Sequence, residues 1–374
     1  MREKLFLRII IGGICLFISI IAGLNYWIDY YAVFRGIHQD IIRNDLISER
    51  FIKVDYLLHN SDKQRYDSFL WGSSRVQKMD PWITGERTYN MGESVGVAND
   101  CLHDLMLLLE DGYRPKTVYL GIDNTFYTAD WGEITTRSLF RVPYSASIEQ
   151  RTGYYMALLI NLNTLYLGFK DKCDIQSERA QTLLNKNGMY LIPQSIENEV
   201  ENDPHGYVQL EKFQVPILAY SGNTAKTFSD CLYSIRQVKQ LCDANGIQFV
   251  PFFNPQHMTT YLADDMELMN RFKKELVKIS PFWDFSGVNY VTANNYFWYE
   301  TSHPRAFICD KILDTVSGQN QITWVPDFGV YVTPENVDAF CEKAVRDCAA
   351  YDPNHEQWIP SPEERKIMTK RVNY

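Results

Sequence analysis

From Leu5 to Leu24 the chain is apolar except at Arg8 and Ser19, and from Ile9 to Leu24 it carries no charge. A helix of about 20 such residues spans about 30 Å, the thickness of a bilayer's hydrocarbon core. Arg2, Lys4 and Arg8 precede or enter its start, and Tyr26, Trp27, Tyr30 and Tyr31 follow its end. Basic and aromatic residues take these positions at membrane interfaces, and Arg8 can snorkel to the headgroups. The basic amino side places that end in the cytoplasm and the remaining chain outside. A cleaved signal peptide is the rival reading and needs small residues at its cleavage site. Ala22 and Gly23 follow Ile20 and Ile21, without a small-x-small pattern, so residues 1–28 are expected to be a retained anchor with a short cytoplasmic tip.

Residues 29–65 mix polar and apolar positions and read as a helical neck. Phe69-Leu70-Trp71 then forms a short apolar run that stops at Gly72-Ser73-Ser74, the pattern of a strand buried on both faces of a parallel sheet. Thr88–Gly92, Thr117–Ile122, Ile247–Phe253 and Phe282–Phe285 read as four further strands. Between the second and third, Leu102, Leu105, Met106 and Leu109 recur at helical spacing until Asp111-Gly112. Helical patterning returns at Thr224–Asn245, ended by Gly246, at Leu262–Ile279 and at Ala306–Val316. Strand, helix, strand in this order is the βαβ unit of a parallel sheet. The expected fold class is therefore α/β, a doubly wound parallel sheet in a domain over 66–318, after one transmembrane helix. Residues from about 125 to 222 are rich in Tyr, Asn and Thr and break the rhythm as an insertion, and 319–374 form a C-terminal extension without readable chemistry.

Composition changes this picture little. Of 374 residues, 45% are hydrophobic and 22% charged, which is ordinary for a globular chain. The net charge of −9 argues against nucleic acid, whose binding rests on Lys and Arg contacts to phosphate. Aromatics at 14% hint at a carbohydrate-lining or aromatic-rich surface. Eight cysteines suggest no compact disulfide framework and no Cys-x-x-Cys pattern. Only Cys341 and Cys348, close together in one segment, suggest a local pair, and most of the others read as small core residues. His38, His59, His103, His205 and His355 show no metal-ligand spacing, so no metal and no cofactor is expected.

The chemistry gathers at strand ends, where open α/β sheets bind ligands. The first strand ends in Ser73 and Ser74, the second in Asn90, Gly92 and Gly96, and the third in Asp123 and Asn124. After the fifth comes Tyr299-Glu300-Thr301-Ser302-His303-Pro304-Arg305. A hydroxyl, a histidine with a carboxylate three residues before it, and several donors near one point suit acyl transfer. Gly-Ser-Ser also reads as a serine-capped turn, His303 as a surface histidine before proline, and Asp123 as a turn cap. His257, after the fourth strand, is the rival base or a substrate contact. Arg75 either binds an anionic group of the substrate or pairs with an acid. Glu93 and Asp100 are expected to be solvated, and Tyr296-Phe297-Trp298-Tyr299 to lie in the core.

Gly72-Ser73-Ser74 resembles block one of the SGNH/GDSL hydrolase superfamily, with Ser73 in place of the usual Asp. Asn90 to Gly96 resembles block two. Gly121-Ile122-Asp123-Asn124 resembles the Gly-x-Asn-Asp of block three with the last two residues interchanged, and Glu300-Thr301-Ser302-His303 resembles the Asp-x-x-His of block five with Glu for Asp. Order and spacing resemble membrane-anchored SGNH-like proteins of bacterial surface-glycan clusters, whose block one often reads Gly-Ser-Ser-Arg. The resemblance implies a three-layer α/β/α, flavodoxin-like fold with Ser74 as nucleophile, His303 as general base and Glu300 orienting the imidazole. It implies oxyanion donors at the Ser74 N–H, at Gly96 or Gly92, and at a block-three side chain. An ionised Asp123 cannot donate, so either Asn124 turns inward, Asp123 is protonated, or that donor is missing. The implied activity is that of an extracytoplasmic serine esterase or O-acyltransferase on acyl esters, acetyl above all, of cell-surface polysaccharide. Resemblance to alginate acetylation proteins implies a membrane-bound O-acyltransferase as partner. The alternative is a weakly active or inactive glycan-binding or assembly protein of the same fold.

Overall fold

A strand with sheet neighbours on both sides and helices over its faces must be apolar throughout, and Phe69, Leu70 and Trp71 meet that demand. In the computed structural model they lie within β1 (Ser68–Gly72), all five residues of which are buried. Parallel to β1 run β2 (Thr88–Asn90) on one side and β3 (Thr117–Ile122) on the other. β4 (Gln248–Phe253) and β5 (Phe282–Asp284) continue the sheet in parallel, and β6 (Val330–Val332) closes it antiparallel. The order is β2-β1-β3-β4-β5-β6. The chain is thus α/β with a six-stranded, mostly parallel sheet. The direction of strand succession reverses between β1 and β3, and there the carbonyl ends of Gly72 and Gly121 lie side by side in register.

The structure describes residues 2–30, 33–34, 42–43, 49–59, 62–63, 65–94, 96–128, 147–173, 183–184, 187–192, 194–218, 224–323 and 328–369. It divides into two compact units, Met1–Asn60 with Thr135–Lys186, and Ser61–Ile134 with Asn187–Tyr374.

In the first unit the apolar N-terminal run forms one helix, Arg2–Ile28, of 27 residues. At 1.5 Å per residue it is about 40 Å long, enough to cross a bilayer. Leu5, Phe6, Leu16 and Phe17 stand exposed on it, so this stretch has no protein core of its own to enter. Its end is tied down. Asn25 Nδ2 donates to the carbonyls of Leu159 (2.7 Å) and Asn161 (3.0 Å), at the turn between helices Ile148–Leu159 and Leu162–Cys173. Glu49–His59, within the expected neck, is a helix of this unit, and Phe51 meets Tyr154 at 4.9 Å between ring centres.

In the second unit, Leu70, Tyr119 and Phe252 from three adjacent strands share a core cluster with Ile308 and Ile312 of the Ala306–Val316 helix. Every residue of that helix is buried, and each Leu or Ile so removed from water contributes about 1.5–3 kcal/mol. The helical pattern at Leu262–Ile279 is realised as two helices, Met258–Ala263 and Met266–Leu276. The break comes from a cap: Asp265 accepts from the Leu268 N–H at 2.9 Å and starts the second helix, as a short carboxylate does at an N-terminus. Cys341 and Cys348 are free thiols. Both sit on one helix, Val337–Ala350, where seven residues of rise separate them by about 10 Å, beyond the reach of a disulfide.

Candidate active site

The chain leaves β1 through a tight turn. Gly72 has a φ of 156°, and a Cβ there would lie 2.7 Å from the Gly121 carbonyl oxygen, so a side chain does not fit between the two strand ends. The turn closes with the Val76 N–H donating to the Ser73 carbonyl at 3.0 Å. Asn90, at the end of β2, braces it from outside: its Nδ2 donates to the carbonyls of Val76 (2.8 Å) and Met79 (3.1 Å). On this braced turn Ser73 is buried and Ser74 is half-exposed.

The partner of Ser74 arrives from the loop after β5. Residues 298–304 form a short excursion closed by an antiparallel bridge between Trp298 and Pro304, with the Tyr299 N–H donating to the His303 carbonyl at 2.9 Å. Neighbouring elements pin it. Tyr207 Oη donates to the Trp298 carbonyl at 3.0 Å, Thr260 Oγ1 to the Thr301 carbonyl at 2.8 Å, and Arg75 Nε to the Ser302 carbonyl at 3.1 Å. Buried Arg305, held by Glu197 (2.6 Å) and Glu201 (2.8 Å), fixes its exit.

The loop sets His303 Nε2 at 2.7 Å from Ser74 Oγ. His303 Nδ1 hydrogen-bonds Glu300 Oε1, and Glu300 Oε2 accepts from the Ser302 N–H at 2.6 Å. Hydroxyl, imidazole and carboxylate thus form one chain, with the ring held so that Nε2 faces the hydroxyl. Burial, and then the charge of Lys78, push the His303 imidazole below its ordinary range against the opposing pull of Glu300. The ring is therefore neutral, the form that accepts a proton, at physiological pH. Burial pushes the Glu300 carboxyl up, but the hydrogen bond and charge of His303, with Ser302 and Lys78, hold it below the usual carboxylate range. Glu300 stays charged and can balance an imidazolium when one forms.

No protein-family model, no curated protein and no solved structure matches this chain. What the site can do is therefore argued from its own atoms.

The expected oxyanion donors fare differently from the serine, histidine and glutamate. Asp123 is fully buried and accepts at both oxygens: Oδ2 from Ser73 Oγ and from Arg75 Nη1 (3.0 Å), Oδ1 from the Thr125 N–H (3.0 Å) and Thr125 Oγ1 (2.5 Å). Both its oxygens are therefore engaged with these neighbours. Asn124 does not turn to the serine: its Nδ2 donates to Asp264 Oδ2 at 2.8 Å, and its Oδ1 accepts from Arg75 at 3.3 Å. The Gly92 N–H donates to Asn90 Oδ1 at 2.8 Å and the Gly96 N–H to the Glu93 carbonyl at 3.2 Å. Of the five candidate donors, the Ser74 N–H alone has no acceptor among the described residues.

Arg75 takes the second of its two expected roles, pairing with an acid, while the expectations for His257 and Glu93 change. Arg75 is buried and ion-paired with Asp123, so it ties three strand-end segments together and faces no open surface for an anionic substrate group. His257 is neither base nor free contact at this point: Nδ1 accepts from the Thr259 N–H at 3.2 Å as a helix cap, and Nε2 meets Asn295 Oδ1 at 2.7 Å. Burial lowers its pKa to about 4, so it too stays neutral. Glu93, expected in solvent, is buried. Lys78 was missed. It lies four residues beyond Ser74 on the same turn, which is the only hint the sequence offers of its influence on His303.

Proposed function

We propose that the chain is a membrane-anchored serine esterase or O-acyltransferase of SGNH type, acting outside the cytoplasm on acyl esters, acetyl above all, of cell-surface polysaccharide. One observation carries the reading, the continuous Ser74–His303–Glu300 hydrogen-bond chain. The position of Ser74 just past a strand end, where the sheet order reverses, supports it, because open α/β sheets bind ligands there. The β2-β1-β3-β4-β5 order is also that of flavodoxin-like wound sheets, to which SGNH hydrolases belong. The apolar helix supports the anchor, and Arg2, Lys4 and Arg8 support a cytoplasmic amino end.

In the proposed reaction His303 Nε2 takes the Ser74 proton as Oγ attacks the ester carbonyl. The tetrahedral oxyanion is met by the Ser74 N–H. Collapse expels the sugar oxygen, which leaves with the proton from His303, and acyl-Ser74 remains. Water gives hydrolysis; a second sugar hydroxyl gives transfer, with His303 again as base. In a transfer pathway the acyl donor would be supplied by a membrane-bound O-acyltransferase.

A second reading is favoured by the committed block-three residues. Removing one oxyanion donor from a working site typically costs about 10²–10³ in kcat, so a site with one backbone donor could serve as a glycan-binding or assembly module. Turnover separates the two. Hydrolysis of a small acetyl ester, and release or transfer of acetate on purified surface glycan, should be lost in Ser74→Ala. Equal background rates for both proteins on both substrates leave the binding module.

A further inference from the structure

A cavity of about 980 Å³ lies in the second unit, bounded by Val208, Phe213, the start of the Met258–Ala263 helix and residues 351–359. That volume is at the upper end of the roughly 300–1,000 Å³ of small-ligand sites. Neither Ser74, His303 nor Glu300 lines it. It is nevertheless joined to them: Thr259 is part of the lining, and the adjacent Thr260 bonds the Thr301 carbonyl two residues before His303.

Floor and rim of this cavity are built differently. The floor is fixed by internal bonds. His257 meets Asn295 at 2.7 Å, Asn295 Nδ2 donates to the Val208 carbonyl at 2.7 Å, and the Asn295 N–H donates to Gln357 Oε1 at 2.7 Å. The rim carries exposed Gln209, Gln214 and Asn354, whose side-chain amides have no protein partner among the described residues. Tyr351 and His355 meet edge to face at 5.4 Å beside them, keeping a ring at the opening. Among the described residues of the lining, Glu356 is the one carboxylate, neither Lys nor Arg contributes, and His205, His257 and His355 are the other titratable side chains besides Tyr351.

An amide offers a donor and an acceptor at once, which is what a hydroxyl needs. An aromatic ring covers the apolar face of a sugar. Without Lys or Arg among its described residues, the lining offers phosphate or a uronate carboxylate no permanently charged partner. We propose that the cavity is a saccharide subsite that binds an uncharged stretch of glycan, separate from the Ser74 centre. The proposal stands on the cavity's own side chains and needs no nucleophile at Ser74.

The test is calorimetric titration of the full chain in a detergent without a sugar headgroup. The probes are maltohexaose, cellohexaose and the β-1,4-N-acetylglucosamine hexamer, with hexagalacturonate as the anionic control. At least one uncharged hexamer should bind. Tyr351→Ala and the pair Gln209→Ala with Gln214→Ala should each weaken it about tenfold. Tyr351→Phe, which keeps the ring, and Ser74→Ala should bind as the parent does, whatever the fate of ester turnover. No binding by any of the three uncharged hexamers, binding untouched by the rim substitutions, or tighter binding of hexagalacturonate would each overturn the proposal.

Discussion

Two turns leave adjacent strands at the same edge of the sheet, and their polar atoms are used in opposite ways. After β1, Ser74 presents a half-exposed hydroxyl to a neutral histidine, and its N–H has no acceptor among the described residues. After β3, Asp123 and Asn124 are buried and engaged with Ser73, Arg75, Thr125 and Asp264. Each turn carries polar residue types that a catalytic strand end requires. Their hydrogen bonds separate them: the first turn sets a hydroxyl against a histidine, and the second holds the first in place, through Ser73 and Arg75 on either side of Ser74. A motif names residue types at a place; which atoms remain free is decided by neighbours that no motif contains.

The largest effect should come from the first turn. His303→Ala should lower acyl-ester turnover by about 10⁶-fold, and the double variant with Ser74→Ala by little more, because such residues act as a unit. Additive losses measured in steady-state kinetics would mean that the two side chains do not work on one proton. Glu300→Gln should cost less, about 10⁴-fold, since its part is to orient the ring and balance its charge.

The second turn should answer in stability. Asp123→Asn keeps the shape but removes the charge facing buried Arg75, so it should destabilise the fold by about 3 kcal/mol in denaturant unfolding. It should not raise turnover. A gain in activity with stability intact would place Asp123 at the oxyanion and erase the contrast between the turns.

The smallest effect sharpens the first turn further. Turnover needs neutral His303, so its acid limb should lie below the ordinary histidine pKa of about 6.5 and activity should fall as pH drops through the lowered value. Lys78→Met removes a positive charge that disfavours imidazolium, so the limb should move up by roughly half a pH unit. An unmoved or lowered limb in the kcat/KM profile would remove Lys78 from the account.

Legibility in the sequence follows the range of the interactions. β1 to β5 are readable because strands buried in a parallel sheet are short apolar runs punctuated by turn residues. β6 is not: Val330-Tyr331-Val332 is an edge strand with two of its three residues exposed, and it follows a stretch without periodicity. Ser74, Glu300 and His303 are readable because strand-end position and a three-residue spacing are local. The task of Asp123 is only half local: the Thr125 N–H two residues on is the turn cap its sequence allows, but Ser73 and Arg75 reach it from the end of another strand. Nor is the role of Tyr207, Glu197 and Glu201, which pin the His303 loop from a segment whose sequence shows only an irregular insertion.

The central claim is that Ser74, and not its buried neighbour Ser73, is an activated nucleophile. Incubation of the full chain with a fluorophosphonate, followed by peptide mass spectrometry, tests it most directly. The account predicts one phosphonyl adduct on Ser74, none on Ser73, and loss of the adduct in His303→Ala. An unlabelled Ser74 in the folded parent protein, or labelling that persists undiminished without His303, would contradict it.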